Sequence, residues 1–544
     1  MTGEGSPEPP EVFPAAGPAP LDHAPAAPPP EDESGEPWRR LSPRSVLAAP
    51  LGVLANLLPA LIALVLLGGR DSWQLWGSGL TLAAVAAHTV SLCLTTRYRV
   101  GEDHVELRTG WLLRRHRAVP LDRVRTVDLT ANPVHRLLRL TVVRIGTGRQ
   151  DHGAEDELTL DAVPRAEAQR LREVVLSRAT LASSAGTATA GDADEARADA
   201  AEPTVLAEMQ PRWLRYAPLT LSGMLAVSAL VGGAIQLLQE LDIRPEHVMP
   251  LLRSLLDLRE LPVLTVVGVA AGAVLVISTL ASLVVYLLSY WNYRLTREPD
   301  GTLRVRRGLL TTRSVSLEER RLRGVELTEA LLLRAGRGAR CDAVTTGLGT
   351  GEGSGLLLPP APRAEAHRVA AEVLRTAESP TRVALRRHPR AALVRRLVRT
   401  VVPTLLLAGV LLVLSWAGWA PFWSWPTALA LLPVAVLLGW DRYRSLGHAL
   451  TERHLVRRSG SVRRSTVALE RDGIIGWRIT QSLFQRRVGL ATVGVVTAAG
   501  IGVHTVVDVD FADGLALAEA AVPDLLTPFL DHDDHRSATG TDAG

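Results

Sequence analysis

The stretch TQSLFQRRVGLATVGVVT, Thr480 to Thr497, decides how this chain is read, because a blurred copy of it and its upstream flank occurs twice earlier. Gly460 lies 20 residues before Thr480, Arg486 lies 6 after it and Thr497 lies 17 after it. The same intervals recur at Gly110, Thr130, Arg136 and Thr147, and again at Gly308, Thr328, Arg334 and Thr345. Three copies at one spacing define a repeat protein, and a repeat governs the architecture before any single element does. In each copy the residues three and one before the aligned Thr are apolar: Val127 and Leu129, Val325 and Leu327, Trp477 and Ile479. They alternate with Asp128, Glu326 and Arg478, which predicts a strand with one buried face. The aligned Gly separates two strand-like runs, as a hairpin turn needing positive φ requires.

Outward from the repeats, each copy is preceded by uncharged apolar sequence. Val46–Gly69 and Trp73–Thr96 carry no charge and are joined by Arg70, Asp71 and Ser72. A membrane helix needs ~20 mostly apolar residues, so residues 46–96 read as a transmembrane hairpin. Tyr216–Gln239 and Pro262–Tyr290 give a second, within 213–290, and the 41-residue run Thr400–Trp440 gives a third, within 398–440, turned near Gly418–Pro421. Soluble units are expected at 97–180, 291–378 and 441–530, opening at Arg97-Tyr98-Arg99, Asn292-Tyr293-Arg294 and Arg442-Tyr443-Arg444. Each consists of short period-2 runs, and the first two end in a helix beginning RAEA, at Arg165 and at Arg363. Residues 181–204 read as a flexible linker. Residues 1–37, with 11 Pro and 8 acidic side chains, read as a disordered tail, as do 531–544.

Arginine clusters at one end of every apolar run, while the opposite links are neutral or acidic. By the positive-inside rule, both termini and all three soluble units are expected in the cytoplasm, with the protein a multi-pass component of a bacterial cell membrane.

Composition excludes much chemistry. All 60 basic residues are Arg. Without Lys there is no P-loop, no kinase strand lysine and no Schiff base. Cys93 and Cys341 are far apart and form no CxxC or disulfide pattern. No HExxH, GxSxG or EF-hand loop occurs, so neither catalytic residues, nor a metal site, nor a cofactor is expected. His532-Asp533-Asp534-His535 lies in the polar tail. The basic residues lack interleaved aromatics, which argues against nucleic acid.

Arg136, Arg334 and Arg486 hold one place in the repeat, a short loop after the aligned strand. Two readings are open for them. Such an Arg can cap a carbonyl or pair with a carboxylate and fix its loop. Alternatively Arg114, Arg115, Arg136, Arg334, Arg463, Arg464, Arg486 and Arg487 contact lipid headgroups or a partner, at about 1 kcal/mol per basic residue near an anionic leaflet.

The tract Leu469–Thr497 resembles the bacterial pleckstrin-homology (PH) domains of the second class, once catalogued as a domain of unknown function. A membrane hairpin followed by such a domain, repeated in one chain, is similar to the YdbT-type membrane proteins. The third copy matches best; the first departs at Asn132–His135 and the second at Ala335–Ala339. The resemblance implies a seven-stranded β-barrel capped by a C-terminal helix in each unit. The expected fold class is thus membrane α + β: six transmembrane helices in three hairpins, each followed by a small PH-like barrel. The expected function is a non-enzymatic membrane scaffold binding anionic inner-leaflet lipids, a smaller PH-domain membrane protein or another copy of itself. The alternative is a component of a transport or export system.

Overall fold

A computed structural model describes residues 38–46, scattered positions from 48 to 95, most of 96–184, residues 202–220 with scattered positions to 233, then 263–345, 355–499 and 502–525 less residue 524. Both expected tails, nearly all of the first hairpin, most of the first apolar run of the second and residues 185–201 of the linker lie outside the described residues.

The first unit contains strands β1 (Arg39–Arg40), β2 (Arg97–Val100), β3 (His104–Thr109), β4 (Arg115–Pro120) and β5 (Thr126–Ala131), helix α1 (Pro133–Leu137), strands β6 (Leu140–Gly146) and β7 (Glu157–Pro164), and helix α2 (Arg165–Ser184). The second contains β8 (Thr204–Glu208), helix α3 (Val263–Tyr290), β9 (Arg294–Arg297), β10 (Thr302–Arg307), β11 (Thr312–Glu318), β12 (Leu322–Ala330), α4 (Leu331–Ala335), β13 (Gly338–Thr345), β14 (Leu356–Pro362) and α5 (Arg363–Val373). The third contains α6 (Arg390–Trp416), α7 (Ser424–Ala430), α8 (Leu432–Arg444), β15 (Gly447–Leu450), β16 (His454–Ser459), β17 (Arg463–Glu470), β18 (Ile474–Thr480), α9 (Leu483–Arg486), β19 (Leu490–Thr497), β20 (Val503–Asp510) and α10 (Phe511–Ala521).

Three described helices are long and apolar enough to cross a membrane: Ala271–Tyr290, Arg390–Trp416 and Ser424–Arg444. Of the expected six helices in three hairpins, only the third hairpin is present with both arms among the described residues, and the two helices of the first and the first of the second fall on residues mostly outside them. Gly418, at φ 77°, turns the third hairpin. Trp416, Trp419, Phe422 and Trp423 are exposed around that turn, where an aromatic girdle meets a membrane interface.

The expected closed barrels are corrected. Seven strands recur per unit, with an isolated Arg386–His448 bridge standing for the first strand of the third. In no unit, however, does the fourth strand pair with the fifth. Sheet order is β1-β2-β3-β4, then β7-β6-β5-β11-β10-β9-β8, then β14-β13-β12-β17-β16-β15, then β18-β19-β20. The chain thus leaves one sheet after each fourth strand and starts another, and each unit is a sandwich whose second sheet, in the first two units, is continued by the first sheet of the next unit.

Each hairpin is an insertion behind the first strand of its unit. β1 pairs with β2 across residues 41–96, β8 pairs with β9 across 209–293, and Arg386 bridges His448 across the third hairpin. Thr204 therefore already belongs to the second unit, ahead of the expected start at 291.

The cores follow from the period-2 pattern. In the first unit Val127, Leu129, Val143, Ile145, Leu158 and Leu160 pack under Ala168, Leu171 and Val175 of α2. The second unit buries Trp213, Tyr293 and Leu327 against Ala366, Val369 and Val373 of α5, and its cluster extends to Val456 and Ala468 of the third. Burying a side chain of this size stabilises by about 1.5–3 kcal/mol, so a shared core makes the second and third units one cooperative body.

Candidate anion cleft and the junctions that form it

The two junctions between units have the same register. Thr130 of β5 lies opposite Arg313 of β11, and Thr328 of β12 lies opposite Ser465 of β17. In both cases the aligned Thr faces the position five residues after the next unit's aligned Gly. The inward strands bury every residue from Ser314 to Leu317 and from Thr466 to Leu469.

Acid on one strand meets base on the other. Asp128 pairs with Arg313 at 2.7 Å. Glu329, almost wholly buried, pairs with Arg464 at 2.6 Å and with Arg363 at 3.3 Å. The hydroxyl of Ser465 donates to Glu326 at 2.6 Å. Charge-assisted contacts of this kind are the strong ones, and they fix register as well as adding energy.

Several arginines marked in the sequence belong to these contacts. Arg136 donates to the carbonyl of Leu309, in the hairpin turn of the second unit. Arg334 pairs with Asp441 at 2.9 Å, in the last turn of α8. These two therefore sit on a carbonyl or carboxylate of the following unit, and Arg464 on a carboxylate of the preceding one. Arg463 lies exposed opposite Ala330 at the ladder's end. Arg115 is exposed on β4. Arg486 and Arg487 are exposed beside Leu483 and Phe484, which are 74% and 72% exposed. Arg114 lies outside the described residues. The structure does not bring the eight into one site.

A local capping box builds that last loop: Gln485 N–H donates to the Ser482 hydroxyl, and Ser482 N–H donates to Gln485 Oε1 at 2.9 Å. The Gln485 amide also donates to Asp508 at 2.9 Å. Asp508 is fully buried and bound by Arg395 and Arg396 of α6, and Arg395 donates to the Ser482 hydroxyl at 3.2 Å. The loop is thereby pinned to α6 just before its uncharged stretch begins. The corresponding loop of the second unit packs at Leu219 and Tyr216, where the chain enters the second apolar run.

Beside that entry lies a basic cleft of about 880 Å³ between the second and third units. Arg215, Arg337, Arg363, Arg382 and Arg458 line it, and no carboxylate is among its described lining residues. Arg337 is held at φ 56°, and its carbonyl accepts the first N–H of α5, from Arg363, at 2.9 Å. His367, one turn along α5, contacts the Thr381 hydroxyl at 2.6 Å. Burial, then the charges of Arg363 and Arg382, push its pKa down to about 4, so the imidazole is neutral near pH 7. Burial also lowers the pKa of Arg458, whose Nε has no hydrogen-bond partner. Arg215 donates to the Tyr216 hydroxyl at 2.8 Å on the turn that leads into the second hairpin's first apolar run. The carbonyl of the neighbouring Ala217 accepts from Ser282 of α3, which fixes this turn against a membrane-crossing helix.

Five guanidiniums line the cleft, of which Arg363 also reaches Glu329 behind it, and forked donors of this kind match the oxygens of a phosphate. Arg337 lies three residues past the marked Arg334, and the sequence singled out neither it nor the other four. The one signal was Arg363, which opens the repeated RAEA; the remaining three come from separate stretches that only the fold brings together.

Comparison with known proteins agrees with the repeat. Residues 46–179, 253–401 and 391–521 each match the family described as Bacterial PH domain. The chain is similar to UPF0699 transmembrane protein YdbT of Bacillus subtilis (strain 168), at 23% identity over 409 residues, covering 73% of this chain and 78% of that protein. No solved structure matches.

Proposed function

Because the chain belongs to the bacterial PH domain family, whose pattern covers most of it three times over, we propose that it is a non-enzymatic membrane scaffold that holds anionic lipid headgroups at its basic cleft. The cleft carries this reading: five arginines without a lining carboxylate, placed where the chain enters a membrane-crossing helix. In this reading the first three apolar runs complete six crossings, the arginine-rich ends lie in the cytoplasm, and the exposed Leu483 and Phe484 rest in the interface with Arg486 and Arg487 among the headgroups. The junctions stiffen the array, so that one cleft is held in a fixed place relative to the bilayer.

The full chain in nanodiscs tests it. Native mass spectrometry is expected to find phosphatidylglycerol retained in preference to phosphatidylcholine, and the R337E/R382E double variant is expected to lose that preference by about tenfold, two charge-assisted contacts being removed. Equal retention of both lipids by both proteins would remove the cleft from the function.

A further inference from the structure

The junction register leaves two strands without the partner that their counterparts have. β4 corresponds to β11 and β17, but it is the last strand of its sheet. β18 corresponds to β5 and β12 and is likewise last. Burial confirms that both edges are open. Ser314 and Thr466 are buried, whereas His116 at the same place is exposed; Ser316 and Ala468 are buried, whereas Ala118 is exposed. Asp128 is buried, and Arg478 at its place is exposed.

We propose that β4 is a docking edge for the fifth strand of a PH-like unit on a different chain, one that carries Asp or Glu where Asp128 and Glu326 stand. Continuity with two existing junctions argues the geometry. Applied to β4, the shared register sets Arg115 in the place of Arg313, where it meets that acid, and Arg117 directly opposite the acid. Among the described residues neither Arg115 nor Arg117 has an ion-pair partner. Pro120 stands where Glu318 and Glu470 do, one residue past the last paired position in both junctions, so its missing N–H costs the ladder nothing.

Charge argues the identity of the occupant. A second copy of this chain would offer β18, and the register would press Arg478 against both Arg115 and Arg117. Like charges facing across strands are destabilising. An acid at that one position on a heterologous interface would let copies join without end, which is the route to fibres. Arg478 blocks it, as charged side chains on natural edge strands do. The chain's own residues 1–37 are acidic, but their 11 Pro make a poor ladder strand.

This inference rests on the scaffold reading and is tested where lipid plays no part, on the full chain in neutral detergent by mass photometry. Arg478→Glu turns β18 into the acid-bearing strand and serves as the probe. The wild type is expected to remain single. R478E is expected to associate at least about tenfold more tightly, two facing pairs having changed from repulsive to attractive. R115E/R117E, the reciprocal change, is expected to associate with its own Arg478 to a similar degree. The triple variant is expected to return to the single state. All three substituted positions are at open edges, so thermal melting should not distinguish the four proteins. R478E remaining single would overturn the proposal, and so would association of the wild type that R115E/R117E abolishes, since a second copy would then be the occupant. Association of R478E only after deletion of residues 1–37 would show an edge already covered and would equally overturn it.

Discussion

Gly324 in β12 and Gly476 in β18 hold the same place in the repeat, and both strands slip register at that point against the strand that follows. Their surroundings differ completely. At Gly324, with φ 155°, a Cβ would overlap the carbonyl oxygen of Ala468 in the third unit; at Gly476 the nearest atom is the Val496 Cβ at 3.8 Å. One strand has the following unit seated against it and the other has nothing. The two strands share the Gly and the aligned Thr, and differ in the charge between them, Glu326 against Arg478, as well as in their position in the array. A repeat of this kind supplies the same half-junction every time, and only the inner copies complete it.

Gly324→Ala should show the contrast at its widest. The overlap and the positive φ together place it among the exceptional substitutions, at about 4 kcal/mol or more, whereas Gly476→Ala should cost under about 1 kcal/mol. Denaturant melts of the two full-length variants check this, and equal costs would break the comparison. Next comes acid. With His367 at about 4 when folded and about 6.5 when unfolded, the unfolded chain binds the extra proton between those values. Stability is therefore complete above pH 6.5 and falls as pH drops toward 4. His367→Gln should remove about 3 kcal/mol of the difference between pH 7 and pH 4, read as a flatter pH profile of the melting midpoint. A bound phosphate in the cleft should also narrow that difference, because it favours the imidazolium. Arg464→Ala should then cost about 2 kcal/mol, since Glu329 loses its nearest partner but keeps Arg363. On the open edge, Arg478→Ala should stay within about 0.5 kcal/mol, as an exposed residue with no ion-pair partner among the described residues does.

Much of this was legible in the sequence because it rests on local periodicity. The aligned Gly, Thr and Arg found all three copies, and the alternation around Val127, Val325 and Trp477 found their strands. The partners of those strands were not legible. Val315 and Leu317 alternate with serine whether β11 pairs within its own unit or with β5, because an antiparallel ladder leaves the same mark on either strand. The expectation of closed barrels failed on that ambiguity. Hairpin insertion was hidden for a different reason. Thr204–Glu208 is five residues beside a stretch rich in Ala, Ser and Asp, and a short edge strand takes its identity from β9 rather than from its own pattern. Of the marked arginines, the fixed spacing of Arg136 and Arg334 was a sign of architecture. The cleft escaped notice because Arg215, Arg382 and Arg458 are 76 residues or more apart and converge only through the second junction.

The first strand of each unit is made before its hairpin and the rest after it. On the ribosome, β8 leaves the exit tunnel some 85 residues ahead of β9, and the apolar sequence between them is delivered to the bilayer in the interval. Completion of this sheet must then wait until the apolar segment between β8 and β9 has been made. Because β5 is already waiting when β11 emerges, and β12 when β17 does, assembly is ordered from the N-terminal unit onward. A translation product cut short after any unit would end in a single open edge of known register, a defined state for quality control to recognise.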